Sequence, residues 1–235
     1  AEGEDERVLR AAQVLLEEGT AKPILIGRPS ILQSRLERFG LKIRPDVDFE
    51  VVNPESDRRY RDYVEEYFSH VGRSGVTPEA ARTIVRTNST VIAALAVKRG
   101  DADALICGLE GRYDRHLRDV KQIIGKKAGV IDFSGLSLLI SQRGATFFTD
   151  TYNPSAEEIA EMTIMAAREI RRFGMKPRAA LVSHSNFGSR DSESAAKMRR
   201  ATQLVREQAP DLEADGEMHG DSAISEILRK RVMPD

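Results

Sequence analysis

The sequence has a single cysteine and no long apolar run, and both features exclude classes of protein. Cys107 cannot form a disulfide within the chain, and its place in the apolar run ALICG suits a reducing compartment, so we expect a cytoplasmic protein. The apolar runs fall short of the roughly 18 residues that a membrane span needs, and no basic-then-apolar signal opens the chain. We therefore expect neither membrane insertion nor export.

An excess of charge of one sign is also missing, because 36 lysines and arginines face 37 acidic residues, for a formal net charge of -1. A protein that binds nucleic acid or an anionic membrane through its overall charge is strongly basic. We therefore expect no nucleic-acid partner and no membrane partner. Any site for an anion must be local.

What the sequence does have is the composition of a soluble globular protein, with 235 residues, 40% of them hydrophobic and 31% charged. This length suits one large domain or two small ones. The chain opens with Ala1 and enters a helical pattern almost at once, and it stops at Asp235 directly after another helical pattern. We expect it to be a piece of a longer protein.

Short apolar runs alternate with amphipathic stretches, a pattern typical of α/β proteins whose mostly parallel sheets are covered by helices. The pattern predicts strands of such sheets at 23–27, 49–53, 103–108 and 179–183. From residue 134 two short strands, LSLLIS and ATFFTD, lie close enough to pair antiparallel across the turn QRG. This change of character predicts a first α/β subdomain over 1–129 and a second over 130–235.

The polar stretch SHSNFGS is a candidate binding site, because ligands of open α/β sheets lie at the carboxyl ends of the strands. Its candidate binding residues are Ser183, Ser185, Asn186, Gly188 and Ser189. Hydroxyls, an amide and a glycine that lets a ligand approach the backbone suit a phosphate or a carbonyl oxygen. The stretch is equally typical of a polar turn before a helix capped by Asp191 or Ser192, and the pattern alone leaves both interpretations open.

A second candidate is basic and follows the strand predicted at 103–108. Its cations are Arg112, Arg115, Arg118 and Lys121. Arginines on one helix face could grip a phosphate, but the pattern favours a solvated basic face balanced by neighbouring aspartates. Further cations of the same ambiguous kind are Arg73, Arg82 and Arg86.

The remaining titratable residues favour structural roles. The stretch DLEADGEMHGDSAI alternates Asp215, Glu217, His219 and Asp221, but it fits no metal-ligand spacing, so it indicates a surface strand and the cap of the final helix. No basic residue adjoins Cys107, which we interpret as an apolar residue rather than a nucleophile. We therefore expect no metal site.

Six stretches, taken in order, resemble the phosphate acetyltransferase and butyryltransferase family. They are AEGEDERVLRAA, RTNSTVIAALAVKRGDADALICG, QIIGKKAGV, TFFTDTYNPSAEEIAEMT, RRFGMKPRAALVSHSNFGSRDSESAAKMRRA and DLEADGEMHGDSAI, which cover nearly the whole chain. Stand-alone transferases usually carry Ser-Phe-Ser-Thr and Gly-Glu-Leu-Gln where this chain has SHSNFGS and GEMHGD. These two motifs are similar instead to the fused form of the family, the C-terminal acyltransferase-like domain of bacterial NADP-dependent malic enzymes.

The resemblance implies a two-domain, three-layer α/β/α fold with mostly parallel sheets, phosphotransacetylase-like and isocitrate/isopropylmalate dehydrogenase-like, truncated here at both ends. It implies acetyl-CoA or CoA bound in the cleft between the domains, and a homodimer through this module within a higher oligomer of the parent. NADP and a Mg or Mn ion are implied only for the malate-oxidising part of such a parent.

Family transferases hold phosphate and coenzyme with two arginines. One falls on Arg118, although Asp119 replaces the family's proline, and the other falls near Arg73 only with a shift in alignment. The transferases' Ser-Arg pair and catalytic aspartate correspond to positions after Asp235, so we expect no catalytic residue in this chain. The resemblance therefore implies a regulatory domain that binds acetyl-CoA without turnover, and the alternatives are an active phosphate acetyltransferase and a dimerisation scaffold without ligand.

Overall fold

The computed structural model describes residues 1–142, 144–149 and 154–233. By their internal contacts these residues form two compact units, one up to Lys126 and one from Lys127 onward. Each unit contains a small parallel sheet with helices around it, and the second adds an antiparallel hairpin. This confirms the expected α/β class with mostly parallel sheets. No helix in the described residues is long and apolar enough to cross a membrane.

The first unit pairs strand β1 (Ile24–Ile26) with strand β2 (Glu50–Val52) in parallel, so that Ile24 lies beside Glu50 and Ile26 beside Val52. Both strands lie where the apolar runs predicted them. The helices of this unit are α1 (Glu6–Glu17), α2 (Pro29–Phe39), α3 (Tyr60–Val71), α4 (Pro78–Thr87), α5 (Ser89–Arg99) and α6 (Tyr113–Ile123), with a short 3₁₀ turn at Gly72–Ser74.

Helix α5 is central to the core of the first unit, because its side chains are buried without interruption from Thr90 to Ala96. Asn88 begins the helix: its side-chain oxygen accepts hydrogen bonds from the N–H groups of Thr90 at 3.0 Å and Val91 at 3.2 Å. Gly100 ends it with a left-handed φ of 80°. A side-chain cap of this kind contributes about 1 kcal/mol.

The prediction of a strand at 103–108 is wrong, because this segment forms no strand in the structure. Its apolar residues do not share one buried environment: Leu105 packs against the core, whereas Ile106 is 81% exposed. The N–H of Gly108 donates to the Glu2 side chain at 3.1 Å instead of to a neighbouring strand. The apolar composition that predicts a strand thus lacks the ladder partner that a strand requires.

The second unit begins with the predicted antiparallel hairpin, in which Leu136 pairs with Thr149 and Ser141 with Gly144. The turn residue 143 and the end of the predicted strand at 150 lie outside the described residues, as do residues 151–153 of the stretch TFFTDTYNPSAEEIAEMT. The elements of this unit are β3 (Leu136–Ser141), β4 (Gly144–Thr149), α7 (Ala156–Arg172), β5 (Arg178–Val182), α8 (Glu193–Gln208), β6 (Glu213–Met218), α9 (Gly220–Ile224) and α10 (Glu226–Val232).

Strands β5 and β6 pair in parallel and carry helices α7 and α8 on an apolar core. Leu181 of β5 contributes to this core together with Ala160 of α7 and Val205 of α8, all of which are buried. The single helix predicted at the end of the chain is two helices, because Ser225 ends α9 and then caps α10 by accepting from the Leu228 N–H. Because β5 and β6 are parallel neighbours, their carboxyl ends lie side by side.

Candidate functional site

The serine loop, defined as residues 183–189, connects β5 to the segment before α8 and is tied to the end of β6. The Ser183 N–H donates to Met218 O at 2.9 Å, and the Phe187 N–H donates to Glu217 O at 2.8 Å. Phe187 and Gly188 have φ values of 46° and 87°, a left-handed turn that a glycine readily adopts. The loop therefore lies at the carboxyl ends of two parallel strands, where ligands of open α/β sheets bind.

Glu217, the fifth residue of β6, lies at the centre of the serine loop and is completely buried. Its Oε1 accepts hydrogen bonds from the Ser185 hydroxyl at 2.8 Å and from the Gly188 N–H at 2.8 Å. Arg199 of α8 adds a third, from Nη1 at 3.2 Å. The carboxylate thus joins the loop, the strand and the helix in one network.

The Glu217 carboxylate stays ionised because its partners outweigh its burial. Burial alone raises the pKa of the side chain, whereas the hydrogen bonds from Gly188, Ser185 and Arg199 lower it, and the net result is a pKa below the ordinary value. The second oxygen, Oε2, is buried with no hydrogen-bond partner among the described residues. A buried charge of this kind is costly unless it is paired, so Arg199 is required as its counter-ion.

Glu217 contradicts the interpretation of the acidic stretch as a surface strand. The strand β6 and the following helix are present, but the side chain of Glu217 points into the serine loop instead of into solvent. Gly216 is the residue that could have indicated the burial of Glu217 from the sequence. A Cβ at Gly216 would lie 2.7 Å from Leu181 O, so only glycine fits there. A glycine within a strand often marks such a close backbone approach, and here it lies beside the strand that leads into the loop.

Most backbone N–H groups of the serine loop donate to acceptors within the protein. The Ser185 N–H donates to Ser183 Oγ at 3.3 Å, and the Asn186 N–H donates to Ser189 Oγ at 2.9 Å. The Arg190 N–H, just after the loop, donates to Ser185 Oγ at 3.1 Å. The loop conformation is therefore held by its own serines, and Ser185 is a buried anchor whose predicted contact with a ligand stays a prediction.

The predicted binding residues of the serine loop differ in their access to solvent. Ser183 and Asn186 are partly exposed, whereas Gly188 and Ser189 are exposed. Asn186 Oδ1 accepts from the His219 N–H at 2.7 Å, which leaves the amide nitrogen of this side chain to face outward or to meet a ligand. The structure thus brings all five residues together, with hydroxyl and amide donors on the outer side.

The helix cap lies just after the serine loop and is a separate feature. Ser192 caps α8, because its Oγ accepts a hydrogen bond from the Ala195 N–H at 3.3 Å. The same hydroxyl contacts His184 Nε2 at 3.0 Å, and Ser194 Oγ lies 3.4 Å from His184 Nδ1. The two interpretations that the sequence left open therefore apply to different residues, a cap at Ser192 and a candidate ligand loop before it.

Arg118 and Arg73 belong to the first unit, whereas the serine loop belongs to the second. Arg118 lies on α6 and Arg73 in the 3₁₀ turn, and both are exposed. Neither side chain makes a hydrogen bond or an ion pair with a described residue. Arg112, by contrast, pairs with Asp114 at 2.9 Å, and the Arg86 guanidinium stacks on the Tyr60 ring at 4.7 Å. The binding roles of Arg118 and Arg73 stay predictions.

The first unit also contains a cavity of about 330 Å³ at the carboxyl end of β1, which the sequence did not indicate. Its lining includes Ile26 and Gly27 at the strand end, Glu4 before α1 and Ser89 at the start of α5. Glu4 is already held by the Arg28 side chain at 2.8 Å, and this hydrogen bond lowers its pKa against the opposing effect of burial. The cavity is polar, but its acid is committed within the protein.

Cys107 is partly buried, and burial together with the nearby Glu2 raises the pKa of its thiol. A thiol with a raised pKa is a poor nucleophile at neutral pH, which agrees with the structural role expected for it. Among the described residues no group of three histidine, cysteine or acidic side chains is placed to hold a metal ion. The chemistry of the candidate site is therefore that of hydrogen-bond donors and a buried carboxylate.

Comparison with known proteins places the chain in a larger family. Residues 1–235 match the family model described as phosphate acetyl/butaryl transferase. The chain is 82% identical to an NAD-dependent malic enzyme of Rhizobium meliloti strain 1021 and 52% identical to an NADP-dependent malic enzyme of Escherichia coli K12. Each alignment covers 100% of this chain and 31% of the relative, so the chain spans about a third of the length of these relatives.

A solved structure supports the fold. The phosphotransacetylase of Streptococcus pyogenes matches 100% of this chain and 71% of its own, with a TM-score of 0.85 and 28% identity. This match confirms the phosphotransacetylase-like fold that the sequence motifs implied.

Proposed function

Because this chain belongs to the phosphate acetyl/butaryl transferase family, we propose that it is the regulatory acetyl-CoA-binding domain of a malic enzyme. The observation that carries the proposal is the 82% identity with a malic enzyme, which extends over all of this chain and only 31% of the relative. Identity of that extent supports a shared domain within a longer protein. The parent would oxidise and decarboxylate malate to pyruvate in the part outside this chain.

The chemistry of the serine loop supports binding without turnover. Acetyl transfer between coenzyme A and phosphate needs a base that forms the thiolate and donors for the developing oxyanion. Glu217 has a lowered pKa and lies behind Ser185, so it is a weak base with no direct path to a ligand. The Ser183 hydroxyl and the Asn186 side-chain nitrogen supply donors. Ligand binding can then shift a conformational equilibrium of the parent by differential affinity.

The remaining ligands and partners follow from the parent enzyme. We assign acetyl-CoA or CoA to this domain, held by the serine loop with Arg118 and Arg73, and a nicotinamide coenzyme with a Mg or Mn ion to the malate-oxidising part. NADP is the coenzyme that the motifs implied, but the 82% identical relative is named NAD-dependent and favours NAD. We further propose a cytoplasmic protein that forms a homodimer through this module, within a higher oligomer of the parent.

Two other functions have specific support. The match to a phosphotransacetylase at a TM-score of 0.85 favours an active phosphate acetyltransferase that moves acetyl between CoA and phosphate. The internal use of the loop donors favours a dimerisation scaffold that has lost its ligand.

Two measurements on the full-length protein separate the three functions. Isothermal titration calorimetry with acetyl-CoA gives a binding isotherm if the domain is regulatory, and no heat at millimolar ligand would favour the scaffold. An assay of acetyl phosphate formation from acetyl-CoA and phosphate should stay at background. Turnover above background, abolished when the serine loop is changed, would replace the regulatory domain with a transferase.

A further inference from the structure

The serine loop has two sides with different hydrogen-bonding capacity. On the inner side, the Gly188 N–H and the Ser185 hydroxyl donate to Glu217 Oε1, each at 2.8 Å, and the Phe187 N–H donates to the Glu217 carbonyl at 2.8 Å. The Ser189 N–H donates to Asn186 O at 2.9 Å. Backbone donors that could converge on an external anion are thus occupied from within.

A loop that binds phosphate works in the opposite way, because several backbone N–H groups point outward at the anion. In the serine loop, the anion that receives these donors is the Glu217 carboxylate, which is part of the protein. Glu217 is fully buried, and its counter-ion Arg199 approaches Oε1 from α8 at 3.2 Å. An external phosphate would have to displace Glu217 from Gly188 and would lie beside a carboxylate of the same charge.

The outer side of the loop keeps neutral donors. The Ser183 hydroxyl accepts a hydrogen bond from the Ser185 N–H, so its own hydrogen is available to a ligand. The Ser189 hydroxyl lies 3.4 Å from Ser185 Oγ, whose own hydrogen is already donated inward, so Ser189 donates to the loop itself. The side-chain oxygen of Asn186 accepts a hydrogen bond from the His219 N–H, so the side-chain nitrogen is left as a donor for a ligand. Neutral donors of this kind match carbonyl oxygens of amides and thioesters.

We propose that Glu217 positions the serine loop and determines what it binds, so that the loop takes the neutral acyl-pantetheine portion of an acyl-CoA and excludes its phosphates. This inference rests on the proposed function, because it concerns the same ligand: it assigns the acyl-pantetheine portion of the acyl-CoA to the loop and the phosphates to other residues of the site. It also decides between the two groups, phosphate and carbonyl, that the sequence of the loop allows.

The test measures two ligands on the full-length protein, acetyl-CoA and adenosine 3′,5′-bisphosphate, which carries phosphates of the coenzyme but no pantetheine. Glu217→Gln keeps the shape of the side chain and removes its charge, and Ser183→Ala removes one outer donor. Thr202→Val is the matched control, because Thr202 is equally buried in the same unit and bonds only within α8, to Met198 O at 2.9 Å. Calorimetry gives both affinities, and circular dichroism reports folding.

We expect Glu217→Gln and Ser183→Ala to weaken the binding of acetyl-CoA by about tenfold, the effect of losing one or two hydrogen bonds, and to leave the affinity for the bisphosphate within twofold. Thr202→Val should leave both affinities unchanged, even if it lowers stability. Equal weakening of both ligands by Glu217→Gln would place the loop on the phosphates and overturn the inference. An acetyl-CoA affinity that does not respond to either loop variant would also overturn it.

The wild-type titration distinguishes this inference from the proposed function. If wild-type protein gives no heat with acetyl-CoA, the proposed function itself fails. If wild-type protein binds acetyl-CoA and only the variants behave otherwise than expected, the division of the ligand fails while the proposed function stands.

Discussion

Glu217 is the residue on which the organisation of the candidate site depends. A single buried carboxylate oxygen receives the hydroxyl of one serine, a backbone N–H in the left-handed turn and a guanidinium from α8. Removing one partner of such a network leaves a buried polar group unsatisfied, at a cost of about 1–3 kcal/mol. The loop is therefore held in its conformation by a buried charge on its inner side.

The pH dependence of stability tests the ionised state of Glu217. Because its folded pKa is lowered, the stability it adds is complete above its unfolded pKa of about 4.3 and is lost as the pH falls through the folded value. The free energy of unfolding, measured with urea for wild type and Glu217→Gln, should differ by a constant amount between pH 6 and 8. That difference should shrink below about pH 4. A difference that is the same at pH 7 and pH 3 would show that the charge contributes nothing.

Arg118 provides a second test at the residue scale, because it is exposed on α6 and makes no ion pair with a described residue. If its guanidinium binds a phosphate of the coenzyme, Arg118→Ala should lower the affinity for acetyl-CoA by about ten to a hundredfold, as expected for loss of a charge-assisted contact. Arg38→Ala is the control, an exposed arginine on α2 that belongs to neither candidate site. Equal affinities for wild type and Arg118→Ala in calorimetry would remove Arg118 from the site.

At the scale of elements, the hairpin of β3 and β4 is unusual because large apolar side chains are exposed on both of its faces. Leu138 and Ile140 lie on one face, with Ile140 77% exposed, and Leu139 and Phe148 lie on the other. A two-stranded sheet alone is at best marginally stable in water, and apolar patches of this kind mark interaction surfaces. The hairpin is thus the element we assign to the proposed homodimer.

Ile140→Lys should therefore shift the protein from dimer toward monomer, because a lysine replaces an apolar side chain at the proposed interface. Sedimentation equilibrium of the full-length protein measures this shift. Gln203→Lys on α8 adds the same charge outside the hairpin and should leave the association constant unchanged. If both variants associate as wild type does, the homodimer does not use this hairpin face.

The elements that the sequence predicted well are those whose signals are local. Ser192 caps a helix where the polar residues indicated, and the strand at Ile24–Ile26 coincides with an apolar run between turn signals. The segment 103–108 was predicted wrongly because a strand also needs a partner at the right distance. The sequence of the segment alone does not show whether such a partner is present.

At the scale of the whole molecule, the α/β class followed from the alternation of strands and helices, and the position of the serine loop followed from the strand before it. The role of Glu217 did not follow, because it depends on β5 and β6 lying side by side, which brings together Gly188 and Glu217, 29 positions apart in the sequence. The burial of one carboxylate among alternating acidic residues is a tertiary property. The placement of Arg118 and Arg73 relative to the loop stays a prediction for the same reason.

The measurement that tests the central claim most directly is the rate of malate oxidation by the full-length protein with increasing acetyl-CoA. We predict a saturable change in rate, in either direction, that Ser183→Ala shifts to about tenfold higher acetyl-CoA concentration, with no acetyl phosphate formed when phosphate is present. A malate oxidation rate that is the same with and without saturating acetyl-CoA would contradict the account.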